Sequence, residues 1–149
     1  MDLLTNLEVA TVKSFLAAKL FEAQNQGIEV AVEIPDVISE IKMNLLDFII
    51  LLSIFFDNAI EEAKESHEKK ISVVFFTEDK QLNFYIENST RDVQININQI
   101  FQEGFSSKGS NRGIGLSNVL KILDDYPFCS LTTKSANYKL SQKLSILVY

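Results

Sequence analysis

The sequence predicts an α+β fold: a two-layer α/β sandwich whose mixed, mostly antiparallel sheet of about five strands carries helices on one face. Three observations predict it. Ile28, Val30, Val32 and Ile34 alternate with Glu29, Ala31 and Glu33, the period of a half-buried strand. Residues 44–66 are apolar almost all round in their middle, which demands a helix covered on most sides. Two pairs of short β-patterned runs flank turn residues, 71–76 with 82–86 and 130–133 with 140–149.

Taken in order, residues 3–25 place Leu3, Leu7, Ala10, Val12, Leu16, Leu20 and Ala23 at three- and four-residue spacings, with Gly27 as a stop. An amphipathic helix is expected, either packed on its own domain or continuing a dimerisation helix shared with a partner. The strand at 28–34 ends at Pro35-Asp36. In the helix at 44–66, Asn58 is the polar residue near the end of the apolar stretch, and only Glu61 to Glu65 return to water. His67, the single histidine, falls in a charged turn after that helix. Ile71, Val73 and Phe75 share one strand face, and Glu78-Asp79-Lys80-Gln81 turns the chain into a second strand ending at Asn88. Ile95, Ile97, Ile100 and Phe101 suggest a short helix within 94–103, and the last two strands meet at Ser135-Ala136-Asn137.

A chain of 149 residues, 46% hydrophobic, suffices for one domain with a good core. Its net charge of −6 and pI of about 4.8 argue against a nucleic-acid partner or an anionic membrane surface, both of which reward basic patches. The longest apolar run, 48–56, is bounded by Asp47 and Asp57 and falls far short of the roughly 20 residues that span a bilayer. Cys129 is the only cysteine, so no internal disulfide forms, and it reads as a small buried apolar residue. Met1-Asp2-Leu3 opens no secretory pattern, and a cytoplasmic location is expected.

The stretch that carries chemistry is 101–123, FQEGFSSKGSNRGIGLSNVLKIL. A Gly/Ser/Asn/Lys segment ends in Arg112-Gly113-Ile114-Gly115-Leu116 and passes into a helix, an arrangement that offers backbone N–H groups and a positive helix end to phosphates. Gly113 and Gly115 allow positive φ and close approach to a ligand, while Lys108 and Arg112 bring charge for phosphate oxygens. Alone, the same residues also describe a solvated loop capping an ordinary helix. Upstream, the amide of Asn58 suits a Mg²⁺ ion whose other ligands are phosphates and water.

Together, DNAIEEA at 57–63 and FQEGFSSKGSNRGIGLSNV resemble the N box, F box and G2 box of the GHKL (Bergerat-fold) ATP-binding domain of sensor histidine kinases. The wording is similar to the peptide-pheromone kinases of Gram-positive quorum sensing, of the accessory-gene-regulator and competence type. The resemblance implies an ATP-binding catalytic domain at 27–149, preceded at 1–26 by the end of a dimerisation helix and linker. It implies a protein-histidine kinase that moves the γ-phosphoryl group of ATP to a histidine on the separate dimerisation domain, from which a response regulator takes it. The full-length kinase would be a homodimer, and this chain the cytoplasmic part of a membrane-bound sensor, itself without membrane contact.

The same resemblance assigns nucleotide binding to Asn58, Asn88, Lys108, Arg112, Gly113, Gly115 and Leu116, with Asn58 on Mg²⁺. Phe101 and Phe105 would anchor a lid whose residues 103–111 order with nucleotide. No residue is singled out as catalytic. Asn88 stands where the family carries the Asp that accepts from the adenine amino group, and its amide oxygen can accept the same bond. The glycine that follows that Asp in the family is absent, as is the glycine-threonine pair near the last turn, so the last turn is assigned no ligand contact. These departures leave open a catalytically degenerate scaffold or dimerisation module. A GHKL ATPase or a protein-serine kinase is the other alternative; against the ATPase, Ile54 occupies the position of the water-activating Glu, and isoleucine cannot act as a base.

Overall fold

The computed structural model describes residues 3–102 and 112–147. In chain order its elements are α1 (Ala10–Asn25), β1 (Glu29–Glu33), α2 (Leu45–Lys64), β2 (Lys70–Glu78), β3 (Gln81–Ser89), α3 (Ile97–Ile100), α4 (Arg112–Leu123), β4 (Cys129–Ala136) and β5 (Lys139–Leu147). The five strands form one sheet in the order β1-β2-β3-β5-β4, parallel between β1 and β2 and antiparallel elsewhere. Connection length explains the mixture. The chain returns from β1 to β2 through α2, as a parallel pair requires, whereas β2–β3 and β4–β5 are closed by two-residue turns.

Both turns carry positive φ at their two central residues, Asp79 and Lys80 (52° and 63°) and Asn137 and Tyr138 (54° and 64°). That conformation matches the right-handed twist of the flanking strands. The second turn lies one to two residues later than the expected 135–137. Ser135 and Ala136 stay in the ladder opposite Leu140 and Lys139, because their backbone groups gain sheet partners there.

The helix-facing side of the sheet presents Ile71, Val73 and Phe75 from β2, Leu82, Phe84 and Ile86 from β3, and Leu144 and Ile146 from β5, all buried. Against it α2 lays Phe48, Leu51, Leu52, Phe55 and Phe56, none more than 1% exposed. Phe84 sits at the centre, with ring centroids 5.5 Å from Phe75, 6.1 Å from Phe56 and 6.4 Å from Phe55. Such ring pairs add about 0.5–1.5 kcal/mol each beyond area burial. The start of α2 is fixed by Asn44, whose side chain accepts the Asp47 N–H at 3.0 Å. The opposite sheet face is closed by polar pairs: Tyr85 donates to Glu87 and Ser145 to Asn83, both at 2.7 Å.

The first helix begins at Ala10, not at Leu3 as the spacing suggests. Leu7 instead forms a parallel bridge with Ile38, with Glu8 N–H on the Ile38 carbonyl and Ile38 N–H on the Asn6 carbonyl, both at 2.8 Å. Leu4 and Leu7 thereby enter the core from a turn, closed by the Leu7 N–H on the Leu4 carbonyl at 3.0 Å, and the bridge that follows it, and tertiary pairing overrides helical periodicity. The C-terminus of α1 follows expectation. Gly27 takes φ +80°, its N–H meets the Gln24 carbonyl at 3.0 Å, and Ile28 N–H meets the Ala23 carbonyl at 3.1 Å, the paired bonds of a left-handed helix stop.

Cys129 packs half-buried against the core, and burial pushes its thiol from 9.0 up to about 11. Between those values the folded chain binds the proton that the unfolded chain has released, so this group lowers stability as pH rises through that window. At pH 8 iodoacetamide is expected to label Cys129 slowly in the folded protein and rapidly after denaturation, as read by mass shift. Equal rates in the two states would contradict the burial.

Candidate functional site

The last third of α2 carries a polar group into an apolar setting. Asn58 is 7% exposed between Phe55, Phe56, Ala59 and Ile60, all of them buried. Its side-chain amide makes no hydrogen bond among the described residues, and its nitrogen and oxygen are not among the fully buried atoms left without a partner, so both keep access to a ligand or to water. One turn earlier, Ile54 lies on the same helix face and meets α4: a Cβ built on Gly115 falls 3.5 Å from Ile54 Cγ2. Asn58 is therefore aligned toward the beginning of α4.

That helix begins at Arg112. Arg112, Gly113 and Gly115 thus occupy its first turn, which forms the positive end of the helix dipole, and the N–H groups of Arg112 and Gly113 lack intrahelical acceptors. Here the structure corrects one expectation: Gly115 is helical, and positive φ is not the reason for glycine there. Nor does crowding demand it, because 3.5 Å is ordinary van der Waals contact. Leu116 is buried in a satellite cluster with Ile100 and Leu140, flanked by Ile54, Ile95, Ile97 and Phe101. Phe101, at the end of α3, is tied into that cluster, whereas Phe105 and Lys108 lie outside the described residues.

Across from α4, the sheet contributes Asn88, 3% exposed and paired with Leu140 across the β3–β5 ladder. Its Nδ2 donates to the Ser89 carbonyl at 3.0 Å, which leaves Oδ1 as an acceptor. Ahead of α3, the 90–97 segment is pinned to the β4–β5 turn, since Thr90 N–H meets the Tyr138 carbonyl at 2.9 Å and Ile95 N–H meets Ser135 Oγ at 2.7 Å.

Sequence reasoning missed Gln142. On the helix-facing side of β5 it interrupts Leu140, Leu144 and Ile146, and it is 4% exposed. Thr133 Oγ1 donates to its Oε1, while Nε2 is buried with no hydrogen-bond partner. The signal was present as one amide in an otherwise apolar alternation.

Two hollows lie nearby. One of about 440 Å³ is bordered by Gln94, Ile95, Asn96, Ile97 and Ser135, and one of about 350 Å³ by Glu22, Gln26, Asp57, Ile60, Glu61, Lys64 and Glu65. The second, lined with carboxylates, repels phosphate, and among the described residues neither is bordered by Asn58 or Asn88. No group of three or more His, Cys, Asp or Glu among the described residues could hold a metal, so a divalent ion here needs oxygen ligands from its nucleotide and from water. No helix among them is long and apolar enough to cross a membrane.

Residues 43–147 match the GHKL domain family, and the match covers the Asn58 helix, the sheet from β2 onward and the glycine-started helix. The chain belongs to the GHKL domain family. This GHKL domain is similar to the sensor protein CitS of Bacillus subtilis (strain 168), with 28% identity over an alignment of 119 residues and coverage of 76% of this chain. It spans 22% of the length of that relative. Among solved structures it resembles the nucleotide-free catalytic domain of histidine kinase ThkA, with a TM-score of 0.75 and 17% identity over 94% of this chain and 92% of that one. It also resembles Acinetobacter baumannii histidine kinase AdeS, with a TM-score of 0.71 and 16% identity over 93% of this chain and 64% of that one. At such identities the likeness is one of fold, and the GHKL domain has the α+β fold of histidine kinase catalytic domains.

Proposed function

We propose that this domain binds ATP with Mg²⁺ and serves as the catalytic module of a sensor histidine kinase, passing the γ-phosphoryl group to a histidine on a separate dimerisation domain of the same kinase. The observation that carries the reading is Asn58, 7% exposed on an otherwise apolar stretch of α2 and without a hydrogen bond among the described residues, on the helix face that meets α4. Asn58 would hold the ion, which when bound neutralises phosphate charge. The first turn of α4, with Arg112, Gly113 and Gly115, would bind phosphate oxygens, and Asn88 Oδ1 would accept from the adenine amino group. Lys108 is assigned to charge balance, Leu116 to the apolar wall beside the nucleotide, and Phe101 and Phe105 to anchoring a lid.

Phosphoryl transfer rests mainly on positioning and charge stabilisation, so a domain without a general base suits transfer to an activated acceptor. Ile54 supports that choice over hydrolysis, because the position one turn before Asn58 is an apolar contact with α4. In the same reading residues 1–26 are the end of a dimerisation helix and linker, and 27–149 the ATP-binding domain. The α1 face with Val12, Leu16 and Ala23 is committed to the domain's own core, which leaves the side carrying Phe21, 64% exposed, for a partner. The parent protein is proposed to be a membrane-bound, homodimeric peptide-pheromone sensor of quorum sensing that hands phosphate to a response regulator; the motif wording of DNAIEEA and RGIGL supports this.

Titration with a non-hydrolysable ATP analogue tests the reading, with Mg²⁺-dependent binding expected. Absence of such binding would favour the scaffold alternative. Gly115→Ala sharpens the test. Alanine in place of helical glycine adds about 0.5–1 kcal/mol of stability and meets only ordinary contacts, so the melting temperature is expected to rise by a few degrees. Affinity for the ATP analogue is expected to fall, because the methyl group holds phosphate away from the helix start. A variant both more stable and equally tight would remove Gly115 from the site.

A further inference from the structure

We infer that Gln142 reads the purine ring of the bound nucleotide, a specificity contact made by its free amide group; this rests on the ATP-binding reading above. Gln142 is 4% exposed, and Nε2 is the buried side-chain nitrogen or oxygen left without a partner among the described residues. A group of that kind in a native fold is satisfied by something, and here the sheet places it beside the base-reading position.

The register fixes the neighbourhood. Asn88 pairs with Leu140 across the β3–β5 ladder and Ile86 pairs with Gln142, so Gln142 and Asn88 are diagonal neighbours on the helix-facing side. Such neighbours lie about 7–8 Å apart at Cα, within reach of a long amide. Leu140, between them along the edge, belongs to the cluster of Leu116 and Ile100, with Ile54 packed against it, that forms the apolar wall.

Thr133 holds Oε1 and thereby orients the amide, leaving an N–H donor beside the Asn88 acceptor. An acceptor and a donor side by side complement the adenine edge, where the 6-amino group donates and the adjacent ring nitrogen, N1 or N7, accepts. Guanine and hypoxanthine present an oxygen at the 6-position, so the same pair disfavours them.

The experiment measures dissociation constants of ATP, 1-deaza-ATP and 7-deaza-ATP, each with Mg²⁺, for the unaltered chain and for Gln142→Leu and Gln142→Met. One deaza analogue is expected to bind the unaltered chain about tenfold more weakly than ATP, the size of one neutral hydrogen bond. Each variant should bind ATP about tenfold more weakly and show no further loss with that analogue, while its nucleotide-free melting temperature holds or rises. Equal binding of all three nucleotides by the unaltered chain overturns the assignment without recourse to any variant. So do variants that bind ATP as the unaltered chain does, or losses that simply add. Failure of the unaltered chain to bind ATP would instead remove the ATP-binding reading itself.

Discussion

Asn58→Ala is expected to abolish Mg²⁺-dependent binding of ATP while the domain stays folded. An ion ligand of this kind contributes about 3 kcal/mol, so affinity should fall by roughly a hundredfold. The cost to the fold should stay below about 1 kcal/mol, because the amide makes no hydrogen bond among the described residues that the substitution would break. Asn58→Asp should lose binding as well, since a carboxylate faces the triphosphate. Isothermal titration with and without Mg²⁺, alongside thermal unfolding, reads both quantities. A variant that binds normally would take Asn58 off the ion. One that unfolds would make it a structural amide.

Incubated alone with radiolabelled ATP, the chain is expected to bind nucleotide yet gain no acid-labile phosphate. His67 is exposed in the turn just beyond α2, the helix that carries Asn58. Its place is fixed relative to the bound nucleotide, so it cannot swing to the γ-phosphate as a separate domain can, and its effective concentration there is negligible. Adding the dimerisation hairpin of the proposed parent kinase is expected to label that hairpin at its histidine. Stoichiometric labelling of His67 in the isolated chain would overturn the claim that the phosphoacceptor lies elsewhere.

Much of the fold was legible because local and global preferences agree. The near-continuous apolar run with Phe48, Leu51, Leu52, Phe55 and Phe56 had to be a covered helix, and Asp79-Lys80 between alternating strands had to turn. Where tertiary contacts decide, periodicity failed. Leu3 and Leu7 read as helix, but Leu7 pairs with Ile38, some thirty residues away, as no local pattern could show. The glycines of RGIGL were read as loop residues with positive φ, whereas α4 already begins at Arg112.

The candidate site was half legible. Asn58 stood out because it is polar within an apolar helix, and Asn88 because it ends a strand at a motif position. Gln142 was hidden for the opposite reason: surrounded by Ser141 and Lys143, it reads as one more polar residue until the register shows which face it shares with Leu140 and Leu144.

The most direct test of the central claim is an amide NMR map of the ¹⁵N-labelled domain titrated with a non-hydrolysable ATP analogue and Mg²⁺. Shifts are expected at the side-chain amides of Asn58, Asn88 and Gln142 and at the backbone N–H groups of Gly113 and Gly115. Signals from His67 and from the Tyr85 and Lys143 face of the sheet should stay in place. Saturable shifts confined to that outer face, or no shifts at millimolar nucleotide, would contradict the assignment of this GHKL domain as an ATP-binding module.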